Sequence, residues 1–337
     1  MLNKSIQDLL HSKKRFVLFR KPNEDLIQLF SQDNSKNYDS GFVFTNFNYS
    51  QSHIVFPEKS EIFTLDDYKI NNKISFPKIK GNQYLISEEV SKKTYIQMIE
   101  EAIYQLNDDF TKVVLSRIIP WKNESFNELE HFIQLAKNNP SAFCYLIYIP
   151  NTLCWMGASP ELLVNYMKNT FTTVALAGTK KKEENWTEKE YEEQQMVTNY
   201  IEEIIKKYQL SISKSQTITI SISPEIEHLK TTISINGVNY EMANKLLSEL
   251  HPTPAVCGYP KDKAFELIKK IEKHDRLFYT GFVGLKQNEE MQLYVNLRCA
   301  SVLEDSVLVY VGGGITKKSN PEKEWEETQR KSKTMIF

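Results

Sequence analysis

Two glutamates three residues apart share one face of a helix, and the sequence holds that arrangement twice, as Glu190 with Glu193 and as Glu324 with Glu327. Each pair follows a helix-start signal. Asn320-Pro321 precedes the second pair. Asparagine caps a helix, and proline suits the first helical position because its missing N–H would be unsatisfied anyway. Thr187 is the cap expected for the first pair. Two helices could thus each offer two oxygen donors to one hard divalent ion. Mg²⁺ prefers such oxygens, keeps several waters and often bridges to an anionic substrate. Acidic residues in a helix's first turns also suit the macrodipole and are commonly solvated, so the spacing alone leaves both readings open.

The elements that position these pairs follow from the hydrophobic pattern. From Arg15 to about Phe76 the chain reads as short strands and loops, "RFVLFR", "GFVFTNF" and "HIVFP". A helix follows in "SEEVSKKTYIQMIEEAIYQL", with Tyr95, Met98, Ile99, Ala102, Ile103 and Leu106 at helical spacing and Ser87 as N-cap. "KVVLSRIIPW" is a strand. "AFCYLIYIP" and "TLCWMGASPELLVNY" read as a strand pair joined around Pro150-Asn151, and "TFTTVALAGT" as a strand ended by Gly178. The helix carrying the first acidic pair runs from about Thr187 to Tyr208. "TITISISPEIEHLKTTISI" gives two strands, and "YEMANKLLSEL" and "KDKAFELIKKIEKH" give helices. A meander of "YTGFVGLK", "MQLYVNLRCASVL" and "SVLVYVGGG" leads into the terminal helix. The mixture is α+β, rich in antiparallel sheet, and no strong linker interrupts it. We read residues 1–337 as a single domain.

Of the 337 residues, 41% are hydrophobic and 25% charged, which suits a globular domain with a sizeable core. The net charge of −1 gives no global field to attract nucleic acid or a membrane surface, so a charged ligand has to meet a local cluster. No signal peptide and no membrane-spanning run is read. Cys144, Cys154, Cys257 and Cys299 lie in apolar contexts without CxxC spacing. Buried free thiols in a reducing cytoplasm are expected, rather than disulfides or zinc ligands.

Eight stretches together resemble the chorismate-utilising enzymes, the family of isochorismate, salicylate, anthranilate and aminodeoxychorismate synthases. They are "KVVLSR" (112–117), "GASPELL" (157–163), "LAGT" (176–179), "KEYEEQQMV" (189–197), "HPTPAVCGYPKDKA" (251–264), "YTGFVG" (279–284), "NLRCA" (296–300) and "VGGGITKKSNPEKEWEETQRKS" (311–332). They occur in the family's order and cover roughly residues 90–337; the first 90 residues diverge. The resemblance implies a two-layer fold like that of anthranilate synthase component I, with antiparallel-rich sheets around a central cleft and helices outside. It also implies a Mg²⁺ cofactor held by Glu193 and Glu327, with Glu190 and Glu324 approaching through water. The substrate it implies is chorismate, a dianion. For its second carboxylate Arg298 matches the binding arginine and could grip bidentately, and Tyr279 could add a hydroxyl. Gly312, Gly313 and Gly314 let backbone N–H groups come close to an anion, as nests do. Lys331, one turn beyond Glu327, matches a substrate-contacting lysine. Gly178 belongs to the substrate-binding set.

The branch of the family turns on the nucleophile. Moving a hydroxyl from C4 to C2 of the ring needs a base that activates water and an acid that protonates the leaving hydroxyl. Lys112 matches the base and has to be neutral part of the time; Glu161 matches the acid and needs a raised pKa to hold its proton. Members that add ammonia usually carry glutamine at the position of Lys112. Ala177 stands where aminodeoxychorismate synthases carry a lysine nucleophile. His228 matches a histidine near the ring, and Ala255 stands where salicylate-forming members tend to have threonine. Gln194 replaces a histidine of many relatives, a change that a non-ligating neighbour should tolerate. These residues resemble an isochorismate synthase most, serving menaquinone or siderophore biosynthesis, acting as a monomer without a glutaminase subunit. A salicylate synthase, the aminating subunit of an anthranilate or aminodeoxychorismate synthase, and a non-catalytic Mg²⁺- or carboxylate-binding protein on the same scaffold are the alternatives.

Overall fold

The computed structural model describes residues 2–32, 41–50, 52–55, 59–68, 74–80, 89–122, 126–223 and 226–336. The chain opens with α1 (Leu2–His11), β1 (Arg15–Arg20), β2 (Leu26–Gln32), β3 (Gly41–Thr45), β4 (Ser52–Val55) and β5 (Lys59–Thr64). It continues through α2 (Lys92–Gln105), β6 (Lys112–Trp121), α3 (Glu128–Asn138), β7 (Phe143–Ile149), β8 (Leu153–Ser159), β9 (Leu162–Met167) and β10 (Thr170–Lys181). Then come α4 (Glu188–Lys207), β11 (Ser213–Lys214), β12 (Ile218–Ser223), β13 (Ile226–Asn236), α5 (Tyr240–Leu250), β14 (Gly258–Tyr259) and α6 (Lys261–Ile271). The last elements are β15 (Phe282–Gln287), β16 (Glu290–Val295), β17 (Cys299–Val302), β18 (Val307–Thr316) and α7 (Pro321–Ser332).

The strands form two sheets. One has the order β14-β6-β18-β17-β8-β7-β1-β2-β5, the other β11-β13-β10-β9-β16-β15-β3-β4 with β12 beside β13. Every described pairing is antiparallel, in keeping with the α+β reading. Helices cover both. Leu129, Phe132 and Leu135 of α3 join the apolar cluster of the first sheet. Val197, Ile201 and Ile205 of α4 and Leu246 and Leu250 of α5 join that of the second. Tyr95 and Ile99 of α2 pack with Leu267 and Ile268 of α6 against Val113 and Leu115 of β6.

Two expected strands are each split between the sheets. "TLCWMGASPELLVNY" divides at Pro160-Glu161 into β8 of the first sheet and β9 of the second. Proline cannot donate to a ladder, which suits the break there. "MQLYVNLRCASVL" divides at residues 296–298 into β16 and β17, and Arg298 takes a left-handed φ of 48°. The two crossings lie together: Ala158 N donates to Arg298 O at 3.0 Å and Val295 N to Glu161 O at 2.9 Å.

Helix starts agree with the caps that were read, with one exception. Asn320 accepts from Lys323 N at 3.1 Å with Pro321 in the first turn, and Thr187 caps α4. Ser87 lies outside the described residues; the cap of α2 is Ser91, which accepts from Thr94 N at 3.1 Å. Helix α6 stops at Ile271, short of the expected end at His274. All four cysteines are buried and unbridged.

Candidate active site

A cavity of about 240 Å³ opens between the two sheets, the N-terminal half of α4 and one face of α7. Every residue expected to bind metal or substrate or to move a proton lines it. Lys112 comes from β6, Glu161 from the first crossing and Arg298 from the second. Gly178 and His228 come from β10 and β13, and Ala255 and Tyr279 from turns after α5 and α6. Gly312, Gly313 and Gly314 lie on β18, Glu190 and Glu193 on α4, and Glu324, Glu327 and Lys331 on α7.

Burial sets the protonation of three groups that line the cavity, Glu161, His228 and Tyr279. Glu161 is 7% exposed. Burial pushes its carboxyl up to about 7, against the opposing pull of Lys112 and Lys331. A carboxyl so placed holds a proton near neutrality and can donate it. Lys112 is buried and lies beside Gly314, where an added Cβ would stand 2.8 Å from its Cε. His228 is lowered to about 4 by burial and by the charges of Arg298 and Lys331, so it is a neutral ring. Its Nδ1 meets Thr179 Oγ1 at 3.0 Å. Burial raises the Tyr279 hydroxyl well above the ordinary phenol value, which keeps it a donor.

The glycines are not a nest. Gly312, Gly313 and Gly314 continue β18 opposite Ser116, Leu115 and Val114. Ser116 and Val114 turn their backbone groups away from β18, to Glu272 and Cys257, so Gly312 and Gly314 turn theirs away from β6 as well. Strand β17 pairs with β18 only as far as Tyr310. The backbone here is therefore an open strand edge rather than a loop. Lys331 Nζ already uses it, donating to Gly312 O at 3.0 Å.

The four glutamates come from two helices to one cavity, and hard carboxylate oxygens of this kind fit Mg²⁺. Among the described residues no three acidic, histidine or cysteine side chains converge into a cage. The donor set is thus one that waters and a substrate oxygen would complete, which Mg²⁺ accepts readily. Glu327 Oε1 pairs with Lys331 Nζ at 2.6 Å, and Glu190 Oε2 accepts from Thr187 N at 2.9 Å. Glu324 Oε1 accepts from Ser319 Oγ at 2.8 Å.

Two contributors were not assigned from the sequence. Thr179 holds the His228 ring; the hydroxyl after Gly178 was its signal. Gln194 is more than a tolerated neighbour. It is buried, accepts from Ala177 N at 2.9 Å, and donates to Ala175 O at 3.0 Å and Thr231 Oγ1 at 2.9 Å. It fastens α4 to β10 and β13, and nothing in a helical pattern announces such a bond. Gly178 has φ of 65°, and a Cβ there would stand 2.7 Å from Glu190 O, so only glycine lets α4 start this close.

The sequence is similar to isochorismate synthase EntC of Escherichia coli K12, at 28% identity over 258 residues. That match spans 72% of this chain and 66% of the relative, just under two thirds of its length. The fold is similar to the structure of a putative 2,3-dihydroxybenzoate-specific isochorismate synthase, DhbC, from Bacillus anthracis. There the TM-score is 0.78 at 23% identity, with 98% of each chain covered. It is also similar to anthranilate synthase component I from Streptococcus pneumoniae TIGR4, with a TM-score of 0.69 at 18% identity over 95% of this chain and 92% of the other. The family model described as "Chorismate binding enzyme" matches residues 35–337. With the cavity, the paired acids and the matched motifs in one place, the chain belongs to the chorismate-binding enzymes.

Proposed function

We propose that the chain is an isochorismate synthase: water adds at C2 of the chorismate ring and the C4 hydroxyl leaves. The observation that carries this reading is the meeting of Lys112 with Glu161, whose carboxyl titrates at about 7, in one cavity. Lys112, when unprotonated, takes the proton of the attacking water. Glu161 gives its proton to the departing hydroxyl, which leaves as water, so protons balance. Arg298 and the Tyr279 hydroxyl bind one substrate carboxylate, and the open edge at Gly312 and Gly314 supplies N–H donors. His228, neutral and held by Thr179, orients the C4 side. Ala255 leaves the elimination position without a hydroxyl. Glu193 and Glu327 would hold Mg²⁺, with Glu190 and Glu324 behind them through water. Bound there, the ion supplies positive charge to a substrate carboxylate.

The reading extends to its setting. The relatives include isochorismate synthases, and water rather than ammonia as nucleophile needs no glutaminase subunit. Four buried free thiols fit a reducing cytoplasm, and the described helices include none long and apolar enough to cross a membrane. We place the enzyme there as a monomer, one catalytic domain over residues 1–337, supplying menaquinone or siderophore biosynthesis. The test is incubation with chorismate and Mg²⁺, with and without ammonium, and chromatography of the products. Isochorismate alone is expected. Salicylate with pyruvate, or an aminated product, would replace this assignment with another branch, and no turnover would leave a binding protein.

A further inference from the structure

Strand β6 carries Lys112, yet β14 covers its outer edge only at Lys112 and Val113. Beyond that point the edge is buried, and buried backbone groups need partners. Two side chains after α6 act in place of a strand. Glu272 Oε1 accepts from Ser116 N at 2.6 Å, and Arg276 Nη2 donates to Val114 O at 2.6 Å. The two side chains are themselves joined twice, Nε to Oε2 at 2.9 Å and Nη2 to Oε1 at 2.7 Å. Arg276 Nη1 donates onward to Val256 O at 2.9 Å and to Thr280 Oγ1 at 3.3 Å. One guanidinium therefore joins three cavity-wall segments: β6, the turn at Ala255-Val256, and the turn at Tyr279-Thr280. Thr280 has a left-handed φ of 59°, a conformation that surrounding bonds have to hold.

Burial alone would raise the Glu272 carboxyl, but the Arg276 charge and hydrogen bonds, with His274 and the Ser116 amide, hold it below the ordinary range. A buried ion pair is a poor stabiliser compared with apolar packing. Apolar side chains, however, could not direct bonds to three backbones. Ser116, His274 and Glu272 do not form a hydrolytic relay. Ser116 Oγ lies 2.9 Å and Glu272 Oε2 3.7 Å from the same His274 Nε2, and Ser116 is fully buried.

We propose that Arg276, buttressed by Glu272, is a positioning residue of the active site that sets the spacing between the strand of Lys112, the Ala255 turn and Tyr279. This rests on the isochorismate synthase reading for its kinetic arm. The variants are Arg276→Lys and Arg276→Met in the full chain. Neither Arg276 nor Glu272 lines the cavity, so kcat falls by ~10²-fold while KM stays within about threefold. Arg276→Lys loses nearly as much as Arg276→Met, because one ammonium cannot serve three acceptors in a fixed fork. Amide exchange in segments 112–116, 254–258 and 278–281 quickens in Arg276→Lys, and exchange in β1 and β7 does not. Wild-type kcat in Arg276→Lys, or a loss confined to KM, would overturn the proposal. If Arg276→Met does not fold, Arg276→Lys decides. If the wild type does not convert chorismate, the activity reading fails by itself. The clasp is then judged by exchange alone, and unchanged protection of the three segments overturns it.

Discussion

Gly314 makes room for Lys112: a Cβ on the glycine would stand 2.8 Å from the lysine Cε and 3.4 Å from its Nζ. Gly314→Ala should therefore displace the ammonium while leaving the ladder between β18 and β6 intact. A displacement of about 1 Å at a reacting group can cost ~10²-fold. We expect kcat/KM to fall by that order and the melting temperature to change by no more than about 4 °C. Steady-state kinetics with a thermal melt checks both, and an unimpaired Gly314→Ala would remove Lys112 from the proposed chemistry.

Glu161 predicts a pH dependence in two measurements. Its folded value of about 7 lies above the ordinary 4.5, so the native protein holds more of this proton than the unfolded chain between those values. The group's contribution to stability is complete below about 4.5 and is lost as pH rises through about 7. The rate follows the same proton: kcat/KM should fall about tenfold per pH unit above the titration point. Glu161→Gln should abolish turnover and flatten the stability profile over this window. A descending limb unchanged in position in Glu161→Gln would assign the acid role elsewhere.

The paired acids predict how the metal is held. Chelation should stop turnover and Mg²⁺ should restore it. Glu193→Gln and Glu327→Gln should each raise the Mg²⁺ concentration for half-maximal rate by about tenfold or more, since each removes a charged oxygen donor. Titration calorimetry with Mg²⁺ and substrate provides the second readout. Equal Mg²⁺ requirements in wild type and both variants would place the ion elsewhere.

Gln194→Leu should destabilise the protein far beyond an ordinary helix substitution. It strands Ala177 N and Ala175 O, both bonded to the amide. Each unsatisfied buried group costs about 1–3 kcal/mol. Denaturant unfolding should show a loss of a few kcal/mol, with a weakened Mg²⁺ response because Glu193 is the preceding residue. A loss below about 0.5 kcal/mol, within the range of ordinary surface changes, would show the bond to be dispensable.

A small part of the candidate site was legible in local pattern, and the rest came from the family motifs. The shared face of each acidic pair was legible because caps at Thr187 and Asn320 fix where each helix starts, though spacing left open whether the face meets a metal or solvent. Lys112 and Glu161 carry no such local signal; a lysine opening a strand and a glutamate after Ser-Pro look ordinary, and only the family motifs single them out. The crossings at Pro160 and Arg298 were not legible, because alternating apolar residues look the same whichever sheet a strand joins. Nor was the partnership of Glu272 and Arg276. Four residues apart, they resemble an exposed helical pair, and only α6 ending at Ile271 turns both inward.

The two adjacent crossings have one more consequence. Lys112 and Gly314 belong to one layer, Gly178 and His228 to the other, and the seam supplies Glu161 and Arg298. Under the proposed function, an intermediate with only one layer formed would lack the other layer's contribution to the cavity. Turnover would thereby report that both layers have assembled.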